Sequence, residues 1–180
     1  MKNTILLLMM LLLLKGSFAQ LSLRPVDEGS KVHFVIKNFG IKTGGDFTGL
    51  NGSIKFAPAN LAICSFDVSV DANSINTDND SRDGHLRKAE YFDVATYKTI
   101  NFKSTKITLS SVAGRYYVFG ELTVKGVTKP VEFGFGVTPK DGGYVFDGEF
   151  TINRRDFGVG GSSISMSDNL TVSLSVFAKK

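Results

Sequence analysis

The sequence predicts an all-β fold, an antiparallel sandwich or barrel of about eight strands with one short helix. Apolar and polar residues alternate with a period of two along most of the chain, and the apolar positions are rich in β-branched and aromatic residues. The alternating segments are joined by short connections containing Gly, Asn and Asp, such as Asp141-Gly142-Gly143. No repeat or low-complexity linker divides these segments, so we expect one domain.

The first residues are predicted to be a secretory signal peptide. Lys2 provides a basic start, residues 5–14 are apolar, and Ser17-Phe18-Ala19 has small residues at the positions that signal peptidase recognises. We therefore expect cleavage before Gln20, leaving residues 20–180 as the mature domain. A retained membrane anchor is the alternative, although the apolar run is short for a transmembrane span.

The charge of the mature chain argues against nucleic-acid binding. The full sequence has 21 basic and 17 acidic side chains, and residues 1–19 contain two lysines and no acids, which leaves 19 − 17 = +2. Such a nearly neutral surface provides no electrostatic footprint for nucleic acid.

Eight segments have the strand pattern. They are residues 32–36, 54–56, 62–70, 100–109, 116–125, 131–137, 144–152 and 170–178. Asn51-Gly52 precedes the second segment and is interpreted either as a hairpin turn or as a bulge within one long strand.

Two segments interrupt this pattern. Residues 79–89 are polar, begin with good N-capping residues and place Leu86 and Ala89 on one face, which predicts a short helix. Residues 153–169 are rich in Gly and Ser and are predicted to form a long loop, a class that is often functional.

Phenylalanine is abundant, with 15 in the chain, whereas Trp is absent. A closed eight-stranded barrel either fills with such side chains or holds one small ligand. The rings can therefore pack as a dry core or leave an apolar cavity, and composition alone favours the dry core. The candidate cavity-lining residues are Phe34, Ile36, Phe56, Phe66, Phe102, Phe133, Phe135, Phe146 and Phe150.

Catalytic and metal-binding patterns are absent from the sequence. His33 and His85 are the two histidines, and neither belongs to a pair with ligand spacing. Cys64, the lone cysteine, shares the predicted apolar face of Phe66 and is interpreted as a small buried hydrophobe, with a reactive thiol as the alternative. We expect no enzyme activity, cofactor or metal.

Several segments together resemble the YceI-like polyisoprenoid-binding family. Residues 83–87 and 90–93 (DGHLR and EYFD) resemble its helix motif, and residues 100–104, 120–131 and 152–158 match its other motifs in order and spacing. With residues 32–36 they span nearly the whole mature chain. One position departs from the family, which usually has His where this chain has Asn38.

The resemblance implies a lipocalin-like, eight-stranded antiparallel barrel with the short helix near its mouth. It also implies a polyisoprenoid or other long-chain lipid as partner and a periplasmic or secreted location. The family covers binding, transport and stress-related roles, so the alternative is an exported interaction module without an obligatory ligand.

Charged residues near the predicted mouth are candidates for contacting a polar head group. They are Arg82, His85 and Arg87 in the helix and Arg154 at the start of the Gly-rich loop. The alternative is that they pair with Asp83 and with nearby backbone, as helix-surface charges usually do. Separately, residues 116–119 (YYVF) are apolar on both faces, which leaves a homodimer open.

Overall fold

The computed structural model describes residues 21–180, and the predicted signal peptide lies outside this part of the chain. Ten antiparallel strands form one sheet that closes on itself, because β1 pairs with both β4 and β10. The strands are β1 (Leu21–Pro25), β2 (Lys31–Asn38), β3 (Ile41–Phe47), β4 (Asn51–Phe56), β5 (Ser65–Asp71), β6 (Thr99–Leu109), β7 (Arg115–Val124), β8 (Val127–Lys140), β9 (Gly143–Asn153) and β10 (Met166–Lys179).

The ten strands make an eight-stranded barrel because two of the eight strand positions around the barrel are each occupied by two shorter strands placed end to end. β1 and β2 lie end to end along the same edge of β10, and β3 and β4 lie end to end beside them. Asp27, in the break between β1 and β2, accepts hydrogen bonds from the backbone N–H groups of Gly49 and Leu50 in the break between β3 and β4. The predicted eight-stranded antiparallel barrel is therefore confirmed. Asn51-Gly52 lies at the start of β4, so the hairpin-turn alternative for this pair is wrong.

β3 has a weak strand signal because it contains Gly44-Gly45. A β-carbon at Gly45 would lie 2.7 Å from the Phe34 ring and 2.7 Å from Cγ2 of Thr77, so only glycine leaves room for that ring. The packing inside the barrel thus explains why this strand lacks the alternating pattern that identified the others.

The predicted short helix is confirmed as α1 (Asp80–Leu86). Asn79 is its N-cap, and its side-chain oxygen accepts a hydrogen bond of 2.9 Å from the backbone N–H of Arg82. Three 3₁₀ turns accompany it in the described chain, at Leu61–Ile63, Ala72–Ser74 and Arg154–Phe157. Among residues 21–180, no helix is both long enough and apolar enough to span a bilayer.

The predicted long loop is shorter than expected. A 3₁₀ turn occupies Arg154–Phe157, and β10 begins at Met166 instead of near Leu170. The pairing of β10 with β2 is irregular between Met166 and Leu170, and residues 167–169 are polar. The start of β10 therefore lacks the alternating pattern of a strand.

Candidate ligand-binding cavity

The barrel contains an apolar cavity of about 250 Å³ in the half of its length next to α1. In β10 the wall runs from Leu170 through Val172 and Leu174 to Val176, about 20 Å of strand. Most of the lining side chains are hydrophobic. Those on the remaining strands include Val32, Phe34, Ile36, Phe47, Val68, Val70, Ile100, Phe102, Leu122, Val124, Phe133, Phe150 and Ile152.

Three phenylalanines from different strands separate the cavity from the rest of the interior. Phe133 stacks on Phe150 with ring centroids 4.6 Å apart, and Phe102 lies 5.7 Å from Phe133. Phe102 and Phe133 contact the packed core and also line the cavity. The three rings therefore form the floor of the cavity.

The other half of the barrel is filled. Phe146 meets Phe56 and Phe66 edge to face, each at 5.5 Å, and Phe66 meets Phe135 at 5.3 Å. All four rings are buried, and none lines the cavity. Placing Phe56, Phe66, Phe135 and Phe146 in the cavity wall therefore needs correction, because alternation identifies the inward face of a strand but not the depth along the barrel axis. The dry-core and hollow interpretations each describe one half of this barrel.

Aromatic residues also cover the end of the cavity opposite the floor. Phe47 lies 5.8 Å from Phe34 and meets Phe92 edge to face at 5.5 Å. Leu86 of α1 and Tyr91, just after it, line the cavity beside Phe92. Sequence reasoning did not select Phe47, Phe92 or Leu86 as wall residues. Phe47 ends the Gly-containing strand β3, Leu86 ends α1, and Phe92 lies in a turn after the helix, so none of them belongs to a segment with a clear strand pattern.

The Gly-rich segment completes this cover. Phe157 and Val159 are buried against Leu122 and Val124, and both line the cavity. The backbone N–H of Gly160 donates a hydrogen bond of 2.9 Å to the carbonyl of Glu90, which ties the segment to the chain that follows α1. The residues after α1 and after β9 therefore close the same end of the barrel.

Arg82 is the α1 cation that lines the cavity. Its Nε donates to the hydroxyl of Thr77 at 2.7 Å and its Nη2 donates to the Thr77 carbonyl. The same hydroxyl donates to the buried carboxylate of Asp83, which also accepts the Thr77 backbone N–H at 3.0 Å. Among residues 21–180, the Nη1 nitrogen of Arg82 has no hydrogen-bond partner, so its N–H groups are available to donate to a ligand.

His85 and Arg87 do not line the cavity. The His85 ring is exposed and lies 4.9 Å from the ring of Tyr91. Arg87 donates to the backbone carbonyls of Asn73 at 2.9 Å and Ile75 at 2.8 Å, which fixes α1 to the preceding 3₁₀ turn. These contacts match the interpretation of pairing with nearby groups.

Arg154 lines the cavity but is committed to the protein. Its side chain is 3% exposed, and its guanidinium donates to the carbonyls of Ser167, Val159 and Gly161 at 2.9–3.0 Å. A fourth bond of 2.8 Å joins it to Asp168, whose other oxygen lies 3.5 Å from Arg155. Four of its five N–H groups thus hold the Gly-rich segment on the start of β10.

Two further features lie outside the cavity. The Cys64 thiol is half-buried beside the packed core, accepts the Ala57 N–H at 3.1 Å, and has its pKa raised by burial. Tyr117 is 46% exposed on the outer face of β7. Dimerisation through this face stays a prediction. In the described part of the chain, no group of three or more His, Cys, Asp or Glu residues could hold a metal ion.

Comparison with known proteins identifies the family. The model of the YceI-like domain matches residues 24–178. A UPF0312 protein of Vibrio cholerae is 34% identical over 137 residues, which is 72% of each chain. The crystal structure of Burkholderia cenocepacia BcnA superposes with a TM-score of 0.80 at 28% identity, covering 86% of this chain and 99% of BcnA.

A further solved structure has the same fold at lower identity. The structure of a polyisoprenoid binding domain from Saccharophagus degradans, implicated in plant cell wall breakdown, has a TM-score of 0.69 at 20% identity, covering 89% of this chain and 99% of that one. The matched family model spans nearly all of the described barrel, cavity included. The chain belongs to the YceI-like family.

Proposed function

We propose that the barrel binds a long apolar amphiphile, a polyisoprenoid or related lipid, with part of its chain in the cavity, for transport, storage or sequestration. The observation that carries this proposal is the apolar cavity in one half of a barrel whose other half is fully packed. The polyisoprenoid binding domain from S. degradans, which shares the fold, supports this ligand class.

The proposed ligand suits the chemistry of the walls. Each buried CH₂ contributes about 0.8 kcal/mol, so ten to fifteen buried carbons contribute roughly 8–12 kcal/mol before the costs of association. A volume of about 250 Å³ is near the lower end of ordinary ligand pockets, at roughly 300–1,000 Å³. A cavity of this size suits part of a long chain, and the proposal leaves the remainder of the chain outside the cavity.

Arg82 is the residue that we propose for the polar head group. It lines the cavity, and its free Nη1 can donate to a phosphate, carboxylate or carbonyl oxygen. We propose chain contacts for Phe34, Ile36, Phe102, Phe133 and Phe150, which line the cavity. Arg87 does not line the cavity, and Arg154 is held by backbone carbonyls and Asp168, so we assign them no ligand contact.

The proposed location is the periplasm or the extracellular space. The signal-peptide pattern of residues 1–19 supports export and cleavage before Gln20. N-terminal sequencing of the exported protein tests this proposal. An N-terminus at Gln20 is expected, and a retained leader would contradict it.

A cavity-filling pair of variants tests the function. Val172 faces inward opposite Phe34 and Phe150, whereas Thr171 faces outward opposite Val35 and Thr151. Val172→Phe fills cavity volume, and Thr171→Phe adds the same ring outside. We expect added isoprenoid quinone or prenol to bind the native protein and Thr171→Phe but to bind Val172→Phe at least about tenfold more weakly. Equal binding by both folded variants, or none by the native protein, would contradict the proposal.

A further inference from the structure

The turn between β2 and β3 exposes two large apolar side chains. Phe39 is 80% exposed and Ile41 is 70% exposed. Phe39 and Gly40 form a two-residue hairpin turn, with φ of 50° and 75°. Positive φ at both central positions is the type I′ pattern, which strongly favours Asn-Gly.

Phenylalanine is therefore unfavourable at position 39 for two independent reasons. A bulky residue at positive φ is strained, and its ring is left in water. Asn at this position would relieve both costs. A residue that contradicts the local backbone and solvation preferences without stabilising the fold points to a functional role at its own position.

A third apolar side chain belongs to the same surface. The Phe39 N–H donates a hydrogen bond of 2.8 Å to the carbonyl of Ser165, and the preceding residue, Ile164, is fully exposed. We call Phe39, Ile41 and Ile164 the apolar tip.

The apolar tip lies at the rim of the cavity. Asn38 and Thr43, on either side of the turn, line the cavity, as does Met166. Asn38 pairs with Ile41 on one side and with Met166 on the other. Ile41 therefore continues the lined face of β3 into solvent.

Two lysines flank the tip. Lys37 and Lys42 are exposed and directly opposite each other across the hairpin. Residues 36–43 (IKNFGIKT) contain no acidic residue, and neither lysine has an ion-pair partner among residues 21–180. Like charges facing each other destabilise a hairpin, so this pair is another local cost.

We propose that the apolar tip docks on an anionic phospholipid membrane. Phe39, Ile41 and Ile164 insert at the boundary between head groups and acyl chains, and Lys37 and Lys42 contact lipid phosphates. This arrangement presents the cavity rim to the membrane. An exposed apolar group beside unpaired cations fits an anionic lipid surface better than a second copy of the tip, which would bring four lysines together.

Tryptophan substitution gives a direct test, because the chain contains no Trp. Phe39→Trp places a single reporter in the tip. Leu109→Trp is the matched control, since Leu109 is 70% exposed, close to the 80% of Phe39, but lies at the packed end of the barrel. Exported, processed protein is mixed with vesicles of equal phosphatidylcholine and phosphatidylglycerol. We expect a blue shift of Trp emission for Phe39→Trp and none for Leu109→Trp.

Vesicle sedimentation provides the second measurement. Phe39→Asn combined with Ile41→Ser should weaken binding roughly a hundredfold, because each of the two apolar side chains contributes about tenfold. Lys37→Gln combined with Lys42→Gln should weaken binding to the anionic vesicles roughly thirtyfold and leave binding to pure phosphatidylcholine vesicles unchanged. Neither assay measures binding in the cavity, so a negative result here is distinguishable from a failure of the proposed function.

Three outcomes would overturn the docking proposal. They are no sedimentation of the native protein with anionic vesicles, equal blue shifts for Phe39→Trp and Leu109→Trp, and a Phe39→Trp shift that follows protein concentration without vesicles. The last result would identify a second copy as the occupant of the tip.

Discussion

Phe133 of β8 and Phe150 of β9 stack with ring centroids 4.6 Å apart and planes 17° apart. This pair lies where the packed half of the barrel meets the cavity, because Phe133 contacts the buried core while both rings line the cavity. Inward residues on one strand therefore have different roles at different depths. Phe150 in β9 faces empty volume, whereas Phe146, four residues earlier, is surrounded by other rings.

The first prediction compares these two residues of β9. Phe146→Ala removes a ring that is 6% exposed and should lower the free energy of unfolding by about 3–5 kcal/mol. Phe150→Ala should cost less, because one side of its ring faces the cavity, and should change ligand affinity. Urea denaturation and native mass spectrometry measure the two effects. A larger stability loss for Phe150→Ala, with ligand lost in Phe146→Ala instead, would contradict the division of the barrel.

The second prediction concerns Arg154. Replacing this buried guanidinium by Met removes the four hydrogen bonds that it donates to three carbonyls and to one oxygen of Asp168. We expect a loss of roughly 3 kcal/mol or more in the free energy of unfolding. Arg154→Lys should not rescue it, since an ammonium cannot reproduce the planar set of donors. Urea denaturation of both variants checks this. If Arg154→Met unfolded with the same free energy as the native protein, the structural role of Arg154 would be refuted.

The third prediction concerns the Thr77 hydroxyl. Thr77→Val keeps the shape of the side chain but removes the hydroxyl that joins Arg82 to the buried carboxylate of Asp83. Losing that partner should cost about 1–3 kcal/mol. Thr77→Ser retains the hydroxyl and is the control. Thermal or urea unfolding should rank Val below Ser, and the reverse order would show that the methyl group matters more.

The fourth prediction concerns Cys64. Burial raises the pKa of its thiol, an effect that the Ala57 N–H bond partly offsets. A raised pKa means less thiolate at neutral pH, so alkylation of the folded protein should be slow at about pH 7 and accelerate as the solution becomes alkaline. The same chain unfolded in urea is the reference. Equal rates for folded and unfolded protein near neutrality would show that burial does not protect the thiol.

Much of the fold follows from local patterns. The alternation of inward and outward residues identifies most strands, and Asn79 with the polar residues after it identifies α1. β3 escapes this reasoning because Gly44 and Gly45 interrupt its apolar pattern, and a side chain at Gly45 would collide with the ring of Phe34 on the neighbouring strand β2. A contact between strands cannot be inferred from either strand alone.

The candidate site is only partly predictable for a related reason. Alternation places Phe56, Phe102 and Phe135 on inward faces, but only Phe102 reaches the cavity, because depth depends on strand register and tilt. Arg82, Arg87 and Arg154 look equivalent in the sequence. Only the fold shows that Arg82 and Arg154 line the cavity whereas Arg87 does not, and that Arg154 is held by three backbone carbonyls and Asp168.

Native mass spectrometry of the freshly purified, exported protein tests the central claim most directly, because it reports ligand mass and stoichiometry together. We predict a complex with one apolar chain-bearing molecule per protein, absent from Val172→Phe and retained in Thr171→Phe, and recovered by organic extraction. Repeated spectra of the ligand-free mass alone, from a lipid-producing host and after addition of isoprenoid quinone or prenol, would contradict the account.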